Sequence, residues 1–283
     1  MKANLMTFKK QLIVLLVSLL FSANSLAADE DIIWGVNSSP PFHIYSGEYK
    51  EQGFCDALVD SFQRQLPELS HRIRKLPSRR ITMIMKKNKN LCFPCLIKRT
   101  SYNSDFNYTE TTHLYEPHGI ITRANTAAKI IKKYGQPVKF SDLVKDSDLR
   151  FAQPTERRYG QLQTLLETHL IDSENFSFIS GENAHVNLLT MIVNDRIDYT
   201  IDYRAIMTYY NETEASTKNS GLVFLPIKEY GSLVIEGAVG CTNNEWGRNA
   251  VNQLDQVIEQ LKADPDFQRS LDKWLGSDRP KLN

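Results

Sequence analysis

The chain has 283 residues, with 34 basic and 33 acidic side chains, 41% hydrophobic residues and 4 cysteines. A balance this near neutral argues against nucleic acid or an anionic membrane surface as partner. The first residues do not read as fold. Lys2, Lys9 and Lys10 precede the apolar run Leu12 to Phe21, and Ser25-Leu26-Ala27 offers small residues for cleavage. That is the pattern of a secretory signal peptide over residues 1–27. The apolar run is short for a membrane span, and no cysteine stands at the cut. A cleaved, exported protein is therefore expected, rather than an anchored or lipid-linked one. Cleavage removes three lysines and no acid. No later run approaches ~20 apolar residues. The remainder has the size of two lobes of about 100 residues or more, and cysteines in an exported chain predict disulfides.

The mature chain opens on a strand, Ile32-Ile33-Trp34-Gly35-Val36, broken by Asn37-Ser38-Ser39-Pro40-Pro41 because prolines cannot donate to a ladder and the polar residues favour turns. Phe42-His43-Ile44-Tyr45 follows, then a polar turn around Gly47. Gly53-Phe54 leads into a helix with Leu58, Phe62 and Leu66 on one face. This is a βα unit, and open α/β sheets place ligands at the strand's C-terminal end. Leu69 to Lys75 alternates as a second strand, and Arg79 to Lys87 has helical spacing. Lys86 to Asn90 reads as a solvated turn. Leu91 to Ile97 is a strand in which Pro94 marks an edge or a bulge. Lys98 to Tyr115 is polar and aromatic. Gly119 to Arg123 is a strand, Phe140 to Val144 a short helix and Leu149 to Ala152 a strand. A helix is expected from about Arg157 to Leu170, a strand over Phe176 to Ile179 and an amphipathic helix within Glu182 to Asp195. Ile197 to Ile201 reads as a strand ending at Asp202. Leu222 to Ile227 and Leu233 to Val239 are further strands. Asn249 to Leu261 carries one apolar face, and Asp264-Pro265 starts a last helix that Gly276 ends. Strands alternating with helices imply α/β lobes.

Several of these landmarks resemble the periplasmic solute-binding proteins of the polar amino-acid type, solute-binding protein family 3. In that family a first strand ends in Pro-Pro-Phe, and a short hairpin leads to Gly-Phe-Asp at the first helix. Pro40-Pro41-Phe42 and Gly53-Phe54 match, with Cys55 where the family has Asp. Arg196-Ile197-Asp198 and the run to Asp202 resemble the family's Gly-Arg-Val-Asp segment, and the close on Trp274 resembles its C-terminal helices. The resemblance spans nearly the whole mature chain. It implies an α/β, two-lobed type 2 periplasmic-binding-protein fold, each lobe a mixed sheet flanked by helices, with two hinge crossings. Lobe one would comprise residues 28–121 and 232–283, and lobe two residues 122–231.

The resemblance also implies a site. Thr100 matches the first residue of the family's Thr-Pro-Glu-Arg, while Ser101-Tyr102-Asn103 replaces the rest. The missing arginine normally clamps an α-carboxylate, so Asn103 there puts a standard amino acid in doubt. Phe106, Tyr108 and Thr109 resemble the aromatic-hydroxyl segment that follows. On the residues themselves, Phe42 and Tyr45 offer an aromatic platform or core packing. Thr155 to Tyr159 would begin a helix whose N–H groups attract an anion, with Arg157 or Arg158 as charged donor. Asp202 at a strand end would hold a ligand ammonium or cap a turn. The expected ligand-binding set is Phe42, Tyr45, Thr100, Asn103, Arg157, Tyr159 and Asp202, with no cofactor, metal or catalytic residue.

Cys92-x-x-Cys95 invites a redox or zinc reading. It sits within a strand rather than at a helix start, there is no second such pair, and the six histidines are scattered. His43 and His118 could line a cleft. Three residues of strand set Cys92 and Cys95 about 10 Å apart, beyond the ~7 Å that a disulfide spans. The strand directions of the family then imply the pairs Cys92–Cys241 and Cys55–Cys95. No hydrolase or nucleotide motif occurs. The expected function is a monomeric periplasmic binding protein. It would close on a small polar solute, amino-acid-like or another small anion or zwitterion, for an inner-membrane ABC permease or a sensor. The alternative is an enzyme on the same fold, a lyase like cyclohexadienyl dehydratase.

Overall fold

A computed structural model of the chain describes residues 31–98, 105–155, 157–181, 183–213 and 221–282. The expected signal peptide and the expected ligand residues Thr100 and Asn103 lie outside them. Eleven strands are present among the described residues: β1 (Ile32–Val36), β2 (His71–Lys75), β3 (Cys92–Ile97), β4 (Phe106–Tyr108), β5 (His113–Tyr115), β6 (Gly119–Arg123), β7 (Phe151–Pro154), β8 (Phe176–Ile179), β9 (Tyr199–Asp202), β10 (Leu222–Leu225) and β11 (Ile235–Thr242).

They form two mixed sheets, each flanked by helices. The first has the order β2-β1-β3-β11-β4, with β5 also on β11. β1 runs parallel to β2 and β3, and β11 runs antiparallel to β3, β4 and β5. The second sheet has the order β10-β6-β9-β7-β8. Its strands β7, β8 and β9 are parallel, while β6 runs antiparallel to β9 and β10.

The core of the first sheet follows from four-residue spacing. The helix Phe54–Gln65 buries Phe54, Leu58 and Phe62, and the helix Pro265–Leu275 buries Phe267, Leu271 and Trp274. All six join Ile32, Trp34 and Val36 in one cluster. At ~25 cal/mol per Å² of apolar surface, such side chains carry most of the stabilisation of this lobe. Asp264 caps the last helix by accepting from the amides of Asp266 and Phe267. Its other oxygen accepts from Ser61 and Arg64 at 2.6 Å, which locks the two helices together.

The second sheet is covered on both faces, and alternate strand residues sort between them. Ile120, Phe151, Tyr199 and Ile201 pack with helix Ala124–Tyr134 on one side. Ile121 and Ala152 pack with helices Ala184–Val193 and Arg204–Thr213 on the other.

Several expected boundaries move. β6 lies wholly in the second sheet, so the first crossing falls at residues 116–118, before the boundary at Ile121 that the sequence suggested. A Cβ at Gly119 would stand 2.2 Å from the Phe224 ring, so any side chain there would have to displace that ring. The return crossing runs between β10 and β11. Pro94 stands within β3 at an irregularity, where the register against β11 shifts between Ala238 and Gly240 and Cys95 adopts φ 56. The expected helix from Arg157 begins later, as a 3-10 turn Gly160–Leu162 followed by Gln163–His169. Gly160 has φ 55, which interrupts helical backbone. The helix expected over Asn249 to Leu261 is two, Glu245–Asp255 and Ile258–Ala263. The Asn244 side chain starts the first by accepting from Gly247 N–H at 2.8 Å.

Two disulfides tie the first lobe. Cys92 and Cys241 are register partners across β3 and β11, with Cα atoms 4.0 Å apart. Cys55 at the start of the first helix joins Cys95, with Cα atoms 5.9 Å apart.

Candidate functional site

The strand ends converge on one cavity of about 760 Å³. From the first sheet it receives Asn37 to Ser39 and Phe42 after β1, Pro77 to Arg79 after β2, and residues 93–97 of β3. From the second it receives Pro154 at the end of β7 with Thr155, Arg157 and Arg158 beyond it, Ile179 at the end of β8 with Ser180 and Gly181 beyond it, and Tyr203 after β9. These are the C-terminal ends of parallel strands, where open α/β sheets bind ligands.

The β1 loop is held by a carboxylate one residue later than the resemblance placed it. Asp56 Oδ2 accepts from Ile44 N–H and Gly53 N–H, and Oδ1 lies 2.6 Å from His43 Nδ1. A carboxylate only accepts, so Nδ1 is the donor. His43 is 2% exposed and lines the cavity, and its Nε2 is buried without a protein partner among the described residues. Gly53 is needed because a Cβ would stand 2.2 Å from the Phe42 carbonyl oxygen. The loop thereby presents Phe42, whose ring contacts Phe54 at 4.8 Å and Tyr203 of the opposite lobe at 5.9 Å.

Across the cavity sits a buried charge cluster. Asp202 is 1% exposed. Its Oδ1 accepts from Arg157 Nη2 at 2.9 Å and from Tyr203 N–H at 2.8 Å, and its Oδ2 accepts from His185 Nδ1 at 2.5 Å. Arg157 Nη2 also lies 3.1 Å from His185 Nδ1, but a nitrogen that donates to a carboxylate cannot accept from a guanidinium. Both are donors converging on Asp202. Burial alone would raise the Asp202 pKa. The Arg157 charge and then His185 outweigh it and hold the carboxyl well below the usual range. Burial works against the charge on Arg157 too, and Asp202 more than restores it. His118 packs on the Tyr203 ring at 4.0 Å, where burial, and next the Arg157 charge, push it down to about 3.

Of the residues singled out from the sequence, Phe42, His43, Thr155, Arg157 and Arg158 line the cavity, and His118 does not. Nor does Tyr45. It packs on the first core with the Lys75 ammonium 4.8 Å from its ring centre, and it borders a smaller cavity of about 380 Å³ with Asn187 and Thr213. Tyr159 is a core residue, 1% exposed, whose hydroxyl donates to the Ile201 carbonyl at 2.9 Å. Asp202 stands behind Arg157 and His185, and its oxygens are occupied by the protein rather than open to a ligand ammonium. At the expected helix N-terminus, Thr155 is in a turn and Arg157 to Tyr159 are irregular backbone. Sequence reasoning missed Arg79, Ser180, His185 and Tyr203. The signal for His185 was weak, since it lies 17 residues from Asp202 and in no recognisable spacing.

No protein-family model matches the chain, and no curated protein matches it. Solved structures do match its fold. The substrate-binding protein of an ABC uptake transporter from Streptococcus pneumoniae, with bound histidine, superposes with a TM-score of 0.64 at 16% identity, over 90% of this chain and 96% of that one. A histidine kinase sensor domain with similarity to periplasmic binding proteins gives 0.62 at 12% identity, over 88% and 97%. An ancestral amino acid-binding protein, a precursor of cyclohexadienyl dehydratase, gives 0.59 at 13% identity, over 87% and 95%. The chain therefore has the two-lobed fold of these solute-binding proteins.

Proposed function

We propose that the chain is a periplasmic solute-binding protein, exported and freed of its first 27 residues, that works as a monomer. Its two lobes, residues up to the 116–118 crossing with those after the return crossing and the segment between, would close on a small polar solute. The loaded form would present the solute to an inner-membrane ABC permease or a sensor. The observation that carries this is the cavity of about 760 Å³ walled by both sheets at the C-terminal ends of their parallel strands. Hinge closure encloses ligands in such folds. Phe42 would form a face for the solute, and Arg157, with Arg158 and Ser180 beside it, would supply polar contacts.

A thermal-shift screen against amino acids, peptides, polyamines and organic acids tests the reading. A ligand at 100 times its dissociation constant stabilises by about 2.7 kcal/mol, so a binder raises the melting temperature with the logarithm of its concentration. A protein that no solute stabilises is not a binding protein. Turnover of prephenate or arogenate would replace the reading with the lyase.

A further inference from the structure

We propose that the solute is an organic acid without an ammonium group, a carboxylate on an apolar body rather than an amino acid. This rests on the binding-protein reading above. The described wall carries the guanidiniums of Arg79, Arg157 and Arg158 and the imidazoles of His43 and His185, and no Asp or Glu among the described residues joins them. Arg79 comes from the first lobe and Arg158 from the second. Neither forms an ion pair with a described residue; Arg158 Nη1 donates to the carbonyls of its own loop.

An ammonium offers donors only, so an amino acid needs an acceptor with charge to spare. Among the described residues the acids behind the wall are Asp56, whose oxygens hold His43 and the amides of Ile44 and Gly53, and Asp202, whose two oxygens already hold Arg157 and His185. Turning Asp202 towards a ligand ammonium would strip a buried guanidinium of its counter-charge, which is costly. A carboxylate meets the opposite situation. It adds acceptors where donors are in excess, since Arg157 Nε is buried without a protein partner. Two helices, Ser78–Lys86 and Ala184–Val193, also begin at this wall, and helix N-termini favour negative charge. Phe42, Phe93, Tyr115 and Ile179 supply the apolar surface for the body.

Titration calorimetry with matched pairs tests this: L-phenylalanine against 3-phenylpropanoate, L-leucine against 4-methylpentanoate, and L-glutamate against glutarate. The deaminated acid of at least one pair should bind about tenfold more tightly than its amino acid. Arg158→Gln, an exposed change that keeps the fold, should weaken that acid about tenfold, as loss of one charge-assisted bond does. An amino acid that binds as tightly as its deaminated partner overturns the inference and leaves the binding-protein reading standing. If none of the acids binds while the broad screen finds another solute, the inference alone falls. If the broad screen also finds nothing, the binding-protein reading falls with it.

Discussion

His113 and His118 are the two buried histidines for which burial sets the charge. His113 lies among Phe54, Tyr115 and Phe267, 2% exposed. Burial, and next the Arg279 charge, push it down to about 3, as burial and Arg157 do for His118. Both are neutral in the folded chain. Between about pH 6.5, the unfolded value, and about 3, the unfolded chain binds protons that the folded chain refuses. Stability therefore rises with pH through that window and is lost on acidification, by up to ~1.4 kcal/mol per pH unit for each histidine. Urea unfolding from pH 7 to pH 4 should show this fall, and the ring signals of His113 and His118 in NMR should keep their neutral positions at pH 5. A midpoint near 6.5 for either ring would overturn the assignment. Arg157 belongs to the same neighbourhood. Its removal would leave Asp202 without its main counter-charge, so loss of binding in such a variant would not by itself distinguish a ligand contact from a damaged lobe.

At the scale of elements, β11 is the member on which the first sheet depends, because β3, β4 and β5 all pair with it. Cys92–Cys241 fastens it to β3 across a sequence separation of 149, and Cys55–Cys95 spans 40. Closing the longer loop removes more disorder from the unfolded chain, roughly 5 kcal/mol against 4 in the chain-entropy model. The pair of changes Cys92→Ala and Cys241→Ala should lower stability in urea by about 2–5 kcal/mol, and by more than the pair at Cys55 and Cys95. Equal stabilities, or free thiols in non-reducing peptide mapping, would refute this. Both bridges were legible in the sequence only through strand directions carried by the resemblance. Spacing alone excluded Cys92–Cys95 and went no further. Helix Ala124–Tyr134 carries only a weak sequence signal, although Ala127, Ile130 and Tyr134 mark one face. It follows β6 without a break, so no turn residue announces it. The cavity was legible as strand ends near Phe42 and Arg157. The partnership of Asp202 with His185 was not, because it depends on how Ala184–Val193 packs against β9.

At the scale of the molecule, the two lobes differ in continuity. The second sheet is built from one stretch of chain, β6 to β10, while the first needs residues from both ends. A fragment of residues 116–231 contains every strand of the second sheet and both of its helical faces. It should fold alone, with cooperative thermal unfolding and dispersed amide signals. A fragment ending at residue 115 should not, because β4 and β5 would have no partner strand. A disordered middle fragment, or a folded N-terminal one, would contradict this division.

The dependence on β11 also sets a timetable for synthesis. The chain emerges from its N-terminus, and β3 is complete at Ile97, whereas β11 is complete only at Thr242. At about 5–20 residues per second, that gap lasts roughly 7–30 s. Throughout it the edge of β3 and the thiols of Cys92 and Cys95 have no final partner, while Cys55 is already within reach of Cys95. If the exported chain enters the oxidising compartment N-terminus first, the short-range bridge would form first and leave Cys92 to wait for Cys241. The middle lobe is complete in sequence at β10, before the outer one, whose β11 comes last.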